Sequence, residues 1–342
     1  MSEVILGRTG IRSPKNAFGV LPIQRVDKEY AAMLLRKAHG AGFTFFDTAR
    51  AYSDSEEKIG YALSDVRDSI TLATKTGAKD AATFWQHLET SLTNLRTDHI
   101  DIYQFHNPAT VPLPGDGSGL YEAMAEAKAQ GKIRHIGITN HTLATAEAAV
   151  RSGLYDTLQF PLCYLAQEAD LNLVRLCEEH NVGFIAMKAL SGGLLTRSDA
   201  AFAWMSGLPS VLPIWGIQRE SELDEFISYM AAPPALNDEM RALIDHDRAE
   251  LAGSFCRACG YCMPTCPAGI EISSCARMSQ LIRRSPSSGH LSERGRAMMK
   301  KVETCIDCGV CKTKCPYGLD TPALLRQHYE DYKRILAGEI VV

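Results

Sequence analysis

The sequence lacks any run of about 18 apolar residues without a charge, which is what a membrane-spanning helix requires. Near Met1 it also lacks the basic stretch and apolar segment of a secretory signal. Charge of one sign is not in excess, because the formal net charge is -4 and acidic and basic residues are interspersed. This balance gives no electrostatic footprint for nucleic acid or an anionic membrane. We therefore expect a cytoplasmic protein with no nucleic-acid or membrane partner.

Cysteine is scarce in the first 255 residues, where only Cys163 and Cys177 occur. The other nine of the 11 cysteines lie between Cys256 and Cys315. In a chain without an export signal, such crowding favours metal binding over disulfide bonds.

Eight of these cysteines form two copies of the spacing C-x2-C-x2-C-x3-C-P. This is the bacterial ferredoxin spacing, in which three thiolates of a run hold one [4Fe-4S] cluster and the fourth ligates the other cluster. Zinc also uses C-x2-C pairs, but its sites usually separate two pairs by a loop and need no third cysteine or proline. The predicted ligands are Cys256, Cys259, Cys262 and Cys315 for cluster one, and Cys266, Cys305, Cys308 and Cys311 for cluster two.

Two further features of this region lead to predictions. Cys275 lies outside both runs and is predicted to be a buried structural thiol. The segment AGIEISSCARMSQLIRR, between the runs, predicts a turn followed by one amphipathic helix.

Glycine-rich nucleotide motifs are also lacking. No G-x-G-x-x-G follows an early strand and there is no Walker loop, which argues against a doubly wound sheet. Instead, short runs rich in β-branched and aromatic residues alternate with segments of helical period. The eight runs are AFGVLP, FTFFDTA, ITLATK, IDIYQFH, IRHIGIT, TLQF, VGFIAM and SVLPIWG.

This alternation predicts an α/β fold, a (β/α)8 TIM-type barrel. With 342 residues, 46% of them hydrophobic, the chain can form such a barrel and a smaller domain. We place the barrel at residues 1–245 and an α-rich, bacterial-ferredoxin-like domain with two [4Fe-4S] clusters at residues 246–342. The segment EVILGRTGIR predicts a hairpin that closes the barrel floor.

Titratable side chains stand at the ends of three successive predicted strands. Asp47 and Tyr52 follow the second strand, Lys75 ends the third, and His106 ends the fourth. Barrel chemistry occurs at the C-terminal ends of strands, so we expect these four residues to converge. An ammonium can lower the pKa of a neighbouring phenol, which could then protonate a carbonyl oxygen as hydride reaches the carbon. Taken singly, each residue is better explained as a cap or a packing residue, but four such residues at matching positions favour the catalytic interpretation.

The segments FFDTARAYSDSEEKIGYAL, LATK, FHNP, GKIRHIGITNH, LQFPLCY and ALSGGLL resemble the aldo-keto reductase signatures in order and spacing, over roughly residues 4–230. The resemblance implies NADPH-dependent reduction with no metal at the hydride site. Tyr52 would be the general acid, Lys75 and Asp47 would tune it, and His106 would position the substrate. FGVLPIQR and the paired cysteine runs resemble a bacterial and archaeal subgroup of this family.

The resemblance also implies contacts to the nicotinamide end of the cofactor. Thr139 and Asn140, after the fifth strand, and Gln159, on the sixth, would grip the carboxamide. Met187 stands where a tyrosine usually stacks on the nicotinamide, and Lys188 follows it.

At the adenosine end the agreement with the family is looser. Gln218 and Ser221 stand where a lysine and an arginine usually face the 2'-phosphate, which leaves Arg219 as the phosphate partner. A single cation discriminates only modestly between a phosphate and a neutral ribose. We therefore expect NADP(H) and keep NAD(H) open. The predicted cofactor contacts are Thr139, Asn140, Gln159, Met187, Lys188, Leu190, Gly192, Gln218, Arg219 and Glu222.

Two functions remain open at this point. In the first, the barrel exchanges hydride with a small carbonyl or alcohol substrate, and the attached domain transfers electrons, with a redox protein as a further partner. Hydride carries two electrons whereas each cluster passes one, and no motif for a flavin intermediary is present. In the second, the chain is an electron-transfer subunit whose barrel is a scaffold or partner-docking module.

Overall fold

The structure, a computed structural model, describes residues 3–251, 256–257, 262–284, 289–315 and 318–340. Its contacts define two compact units. The barrel unit comprises Met1–Ala189 and Asp199–Leu236, and the cysteine unit comprises Leu190–Ser198 and Asn237–Val342. The domain boundary at residue 245, drawn from the sequence, stays a prediction.

The barrel unit contains a closed parallel barrel, preceded by an antiparallel hairpin of β1 (Glu3–Ile5) and β2 (Arg12–Pro14). Around the barrel each strand pairs with the next along the chain, and the last strand, β10, closes onto the first, β3. All eight predicted strands are confirmed. They are β3 (Ala17–Gly19), β4 (Phe45–Asp47), β5 (Thr71–Thr76), β6 (Ile100–His106), β7 (Ile133–Thr139), β8 (Thr157–Pro161), β9 (Gly183–Met187) and β10 (Val211–Gly216).

Helices connect the strands, and their sequences explain where they begin and which face they bury. In the first helix, Ala31, Leu34, Leu35 and Ala38 recur at helical spacing and are buried, while Asp27 caps its start by accepting a hydrogen bond from the Tyr30 N–H. The helices are α1 (Lys28–Gly40), α2 (Ser55–Leu63), α3 (Ala81–Leu95), α4 (Leu120–Ala129), α5 (Leu143–Arg151), α6 (Glu168–Glu179), α7 (Ser198–Ser206) and α8 (Glu220–Ala231), with 3-10 turns at Leu21–Arg25 and Ser64–Ser69.

The hairpin closes the N-terminal end of the barrel, as predicted. Val4 and Leu6 are buried in one cluster with inward-facing residues of the barrel strands. Arg8 donates hydrogen bonds to the carbonyls of Gly153, His180 and Asn181, which precede strands β8 and β9. This sealing of the floor leaves the C-terminal ends of the strands as the place for a site.

The cysteine unit is built from helices around a buried cluster that includes cysteines. The predicted single helix in the segment between the two cysteine runs is wrong, because the helix breaks at Ala276–Arg277 into two. The helices are α9 (Asp238–Leu251), α10 (Ile272–Cys275), α11 (Met278–Arg284), α12 (Glu293–Lys300), α13 (Val310–Thr313) and α14 (Thr321–Leu336), with a 3-10 turn at Lys301–Thr304. Among the described residues, no helix is long and apolar enough to cross a membrane.

Candidate active site and cluster-binding residues

A buried ion pair lies at the C-terminal ends of two neighbouring strands. Asp47 ends β4 and Lys75 lies on β5, and Lys75 Nζ is 2.7 Å from Asp47 Oδ1. The ammonium also donates to the Thr48 carbonyl at 2.5 Å. A charge this deeply buried is tolerated only with such partners. The contact agrees with the expectation that Asp47 and Lys75 act together on Tyr52.

Two buried amides complete the surroundings of the Asp47 carboxylate. Gln159 donates to Oδ1 at 3.2 Å, and Gln104 donates to Oδ2 at 3.4 Å and to the Gln159 oxygen at 2.9 Å. Burial raises the pKa of Asp47, while Lys75 and the two amides act in the opposite direction. The barrel thus contains a polar network that joins β4, β5, β6 and β8.

Tyr52 lies beside this network. Its ring centroid is 5.3 Å from Lys75 Nζ, and the His106 ring meets it edge-on with centroids 5.7 Å apart. The expectation of a lowered phenol pKa is wrong in net direction. Burial raises the pKa of Tyr52 by more than Lys75 lowers it, so the phenol keeps its proton at neutral pH.

The loop carrying Tyr52 is fixed by Glu56, a residue that sequence reasoning missed. The Glu56 side chain is fully buried and accepts hydrogen bonds from Thr74 and Ser91 at 2.7 Å, while Arg50 Nη1 lies 2.8 Å from it. Arg50 and Glu56 flank Tyr52 in sequence, so their ion pair closes the loop around it. The sequence shows Glu56 only as an acidic residue near the start of α2. Acidic residues are common at that position on exposed helices, so nothing in the sequence marked Glu56 as buried.

His106 ends β6 and is neutral at pH 7. Burial, and secondarily Lys75, lowers the pKa of His106 to about 4. The structure therefore brings together all four residues of the predicted quartet, with a protonated phenol, an ammonium and a neutral imidazole. A neutral imidazole can donate a hydrogen bond to a carbonyl oxygen.

The three predicted carboxamide contacts are Thr139, which ends β7, Asn140, which follows it, and Gln159 on β8. Each is already hydrogen-bonded within the protein. Thr139 Oγ1 accepts from the Asn107 N–H at 3.0 Å. Asn140 donates to the Pro108 carbonyl at 2.9 Å and accepts from the Thr142 N–H at 2.7 Å. Gln159 likewise donates to Asp47. A nicotinamide carboxamide that bound these three residues would therefore have to replace some of their present hydrogen bonds.

The adenosine end differs from the sequence-based expectation. Glu222 accepts hydrogen bonds from the backbone N–H groups of Gln218 and Arg219, at 3.0 and 3.1 Å, and pairs with the Arg219 guanidinium at 2.7 Å. Arg219 is therefore not an uncommitted phosphate partner. Glu222, also among the predicted contacts, is thus committed to Arg219 and to the backbone at the start of α8.

The residues that follow β9 divide between the two units. Met187 ends β9 and Lys188 follows it in the barrel unit, whereas Leu190 and Gly192 belong to the cysteine unit.

Four cysteines of the predicted cluster-two set line one cavity in the cysteine unit. Apolar residues, including Ile270, Ile272 and Leu325, line the rest of the cavity. The Ile270 N–H points at the Cys266 sulfur at 3.4 Å, as N–H groups do around cluster thiolates. This donor set fits a [4Fe-4S] cluster and contains the crossed ligand from the first run. The four cysteines are Cys266, Cys305, Cys308 and Cys311.

The cluster-one set is described in part. Cys256 and Cys262 are buried in the core of the unit, and Cys315 packs against that core. Cys259 and Pro316 lie outside the described residues.

Cys275 differs from the predicted cluster ligands. It is completely buried, its thiol points at the Met298 carbonyl at 3.7 Å, and burial raises the pKa of Cys275 to about 12. A thiol held protonated in this way is a poor metal ligand. The structural role predicted for Cys275 agrees with this environment.

These features define a class of protein. Its members combine a (β/α)8 barrel, with a tyrosine, lysine, aspartate and histidine at the barrel mouth, with a ferredoxin-type unit. The chain belongs to the aldo/keto reductase family, whose model matches residues 15–206. Residues 255–320 match a 4Fe-4S dicluster domain.

Curated relatives include aldo-keto reductase YhdN of Bacillus subtilis, 29% identical over 216 residues, which cover 57% of this chain and 64% of the relative. The uncharacterized oxidoreductase YqkF of the same species is 31% identical over 187 residues, covering 50% of this chain and 59% of the relative. The chain thus spans about three fifths of the length of these relatives.

Solved structures agree with the barrel. The thermostable aldo-keto reductase Tm1743, in complex with epalrestat, superposes with a TM-score of 0.61 at 26% identity, covering 72% of this chain and 99% of that one. The Klebsiella pneumoniae aldo/keto reductase with NADP and acetate has a TM-score of 0.60 at 23% identity, covering 72% and 95%. The second likeness concerns the fold alone.

Proposed function

We propose that the barrel catalyses nicotinamide-dependent reduction of a small carbonyl compound, or oxidation of the corresponding alcohol. The assembly of Tyr52, Lys75 and His106 around one point, with Lys75 anchored on Asp47, carries the proposal. A bound nicotinamide would supply hydride to the carbonyl carbon. A scaffold would have no chemical need for this buried ionic network, so the electron-transfer-subunit alternative is not favoured.

The geometry supports one role for each residue of the quartet. Tyr52 donates its phenolic proton to the carbonyl oxygen, and its raised pKa ensures that the proton is present. The Lys75 ammonium, close to the ring, stabilises the phenolate that remains. His106, neutral, donates a hydrogen bond that orients the substrate oxygen. In the oxidation direction the same groups act in reverse.

For the cofactor we propose NADP(H), with NAD(H) as the alternative. The structural neighbour from Klebsiella pneumoniae contains NADP. The ion pair of Arg219 with Glu222 limits the expected preference for NADP(H) over NAD(H), because the carboxylate would repel a 2'-phosphate. Thr139, Asn140 and Gln159 would hold the carboxamide.

The cysteine unit, we propose, holds two [4Fe-4S] clusters through the two crossed sets of cysteines and exchanges electrons with a redox protein. Thiolate ligands of this kind are typical of the reducing cytoplasm, which is where we place the protein. Anaerobic titration with NADPH, followed by electron paramagnetic resonance, tests whether the clusters exchange electrons with the barrel. A reduced-cluster signal would establish the coupling, and its absence would mean that the two units act separately.

The substitution Tyr52→Phe tests the proposed function. It removes the proton donor but keeps the ring, so NADPH-dependent carbonyl reduction should fall by at least about a hundredfold, while the visible iron-sulfur absorbance stays unchanged. Tyr61→Phe is the matched control, because Tyr61 is a tyrosine of α2 whose hydroxyl donates to Glu29. Full activity of Tyr52→Phe would refute the assignment of the acid.

A further inference from the structure

The second residue of α2, Glu56, carries a carboxylate from which water is excluded, because its side chain is fully buried. A buried charge is costly unless it is paired and hydrogen-bonded. An acidic residue at a helix start would stabilise the helix equally well on the exposed side. The burial of Glu56 therefore points to contacts that serve more than the helix.

One oxygen of this carboxylate holds the strand that carries Lys75. Thr74 precedes Lys75 on β5 and donates its hydroxyl to Glu56 Oε1 at 2.7 Å. Ser91 of α3 donates to the same oxygen, also at 2.7 Å. Because successive side chains of a strand point to opposite faces, Thr74 faces the helices and Lys75 faces the barrel interior. Glu56 Oε1 thus fixes β5 from the outside at the position of the lysine.

The other oxygen holds the loop that carries Tyr52. The Arg50 guanidinium places its Nη1 atom 2.8 Å from Glu56 Oε2. The Arg50 backbone N–H donates to the Lys75 carbonyl at 3.1 Å. Arg50 is therefore bound to β5 by its backbone and to α2 by its side chain, and Tyr52 lies in the short segment between Arg50 and Glu56.

The segment from Tyr52 to α2 turns through a conformation that needs support. Ser53 has φ at 41°, in the left-handed region that residues with a side chain seldom adopt. Such a conformation persists where its surroundings over-determine it. Besides the ion pair, the hydroxyls of Thr48 and Ser55, 2.6 Å apart, join the two ends of the loop. Tyr52 is thus held from both directions along the chain.

We propose that Glu56 is a positioning residue for the reaction in the barrel, and that it sets the separation between the Tyr52 phenol and the Lys75 ammonium. The inference rests on the proposed function and adds a residue to its machinery. One carboxylate oxygen holds the strand of the lysine and the other holds the loop of the tyrosine, so the two groups share one fixed reference point. Glu56 acts on the substrate only through them. A displacement of about 1 Å in such a group can cost on the order of a hundredfold in rate.

Two substitutions at the ion pair test this role in the full chain. Glu56→Gln keeps the size of the side chain and can still accept from Thr74, but it removes the charge that holds Arg50. Arg50→Met removes the partner instead. Each should lower kcat for pentanal reduction at least about tenfold while KM for NADPH stays within about twofold, because the change concerns the proton donor and not the cofactor contacts. The double variant should lose about as much as either single one, since both break the same contact.

Arg50→Lys and Glu57→Gln are the controls. Arg50→Lys keeps a cation opposite Glu56, so it should recover part of the kcat that Arg50→Met loses. Glu57 is the exposed neighbour of Glu56 on α2, and Glu57→Gln should leave kcat unchanged. Unchanged kcat in both Glu56→Gln and Arg50→Met would overturn the proposal, and so would losses that add in the double variant.

A measurement without turnover separates positioning from stability. The His106 ring meets the Tyr52 ring edge-on, with centroids 5.7 Å apart, so a movement of the phenol changes the ring-current shift of the His106 protons. With isotope-labelled histidine, and with His106→Gln to assign the signal, NMR should show this signal moving in Glu56→Gln and staying in place in Glu57→Gln. A lower kcat without this movement would mean that Glu56 serves only the stability of the fold, and the proposal would be wrong. If the wild type reduces no pentanal but the signal moves, Glu56 does position Tyr52 and only the proposed function fails.

Discussion

Lys75 Nζ lies 2.7 Å from Asp47 Oδ1, and both side chains are almost completely buried, at 1% and 3% exposure. Asp47→Asn would leave the ammonium buried without its counter-charge. We expect the barrel to lose about 3–5 kcal/mol of unfolding free energy, together with the proposed carbonyl reductase activity. All three tryptophans, Trp85, Trp204 and Trp215, belong to the barrel unit, so urea denaturation followed by tryptophan fluorescence measures this loss.

A double substitution sharpens this first prediction. Asp47→Leu combined with Lys75→Met removes both charges, so it should recover much of the stability that Asp47→Asn loses, but none of the activity. Asp98→Asn is the control, because its carboxylate is 94% exposed. A stable and active Asp47→Asn variant would show that the pair is not needed.

Glu222→Gln should change the cofactor preference if Glu222 faces the adenosine ribose, as proposed. A carboxylate there would repel a 2'-phosphate and it occupies Arg219, so its removal should raise the kcat/KM ratio of NADPH over NADH by roughly fivefold, less at high salt. Glu220→Gln is the matched control in the same turn, where Glu220 pairs with Lys37 at 2.7 Å. An unchanged ratio would mean that Glu222 does not face the adenosine ribose.

The fold was predictable because the barrel repeats one local pattern. Runs such as IDIYQFH and IRHIGIT are bounded by polar residues and match β6 and β7 residue for residue. The helix break at Ala276–Arg277 was not predictable in the same way, because the apolar spacing continues across it. Only the packing of the cysteine unit decides where such a helix stops.

The site was predictable where a residue type stands at a strand end, as Asp47, Lys75 and His106 do. Features that depend on distance or burial were not. The pKa of Tyr52 depends on how far burial outweighs Lys75, and the pairing of Arg219 with Glu222 depends on side-chain direction.

Cys308 and Cys275 should respond in opposite ways to substitution. Cys308 lines the cavity with three other cysteines, so Cys308→Ala should lower the iron content well below the roughly eight atoms per chain of two clusters. Cys275 bonds only weakly to a carbonyl, and Cys275→Ala should keep the iron. Iron analysis after anaerobic purification measures both. Full iron in Cys308→Ala, or a loss in Cys275→Ala, would contradict the ligand assignment.

The two mouth histidines, His106 at the end of β6 and His141 two residues beyond the end of β7, should make the barrel less stable in acid. The pKa of His106 is about 4 in the fold and that of His141 about 3, whereas the ordinary value is 6.5. As the pH falls below about 6.5, the unfolded chain takes up these protons and the folded chain does not, so the free energy of unfolding decreases until the pH approaches the folded pKa. Each histidine contributes a slope of up to about 1.4 kcal/mol per pH unit.

Urea denaturation between pH 7 and pH 5, roughly the upper part of that window, should therefore show a smaller pH dependence in His106→Gln and in His141→Gln than in the wild type. His39→Gln, whose imidazole bonds to Ser69 on the surface, is the control and should keep the wild-type dependence. Equal slopes in all four proteins would show that neither mouth histidine is held neutral by the fold.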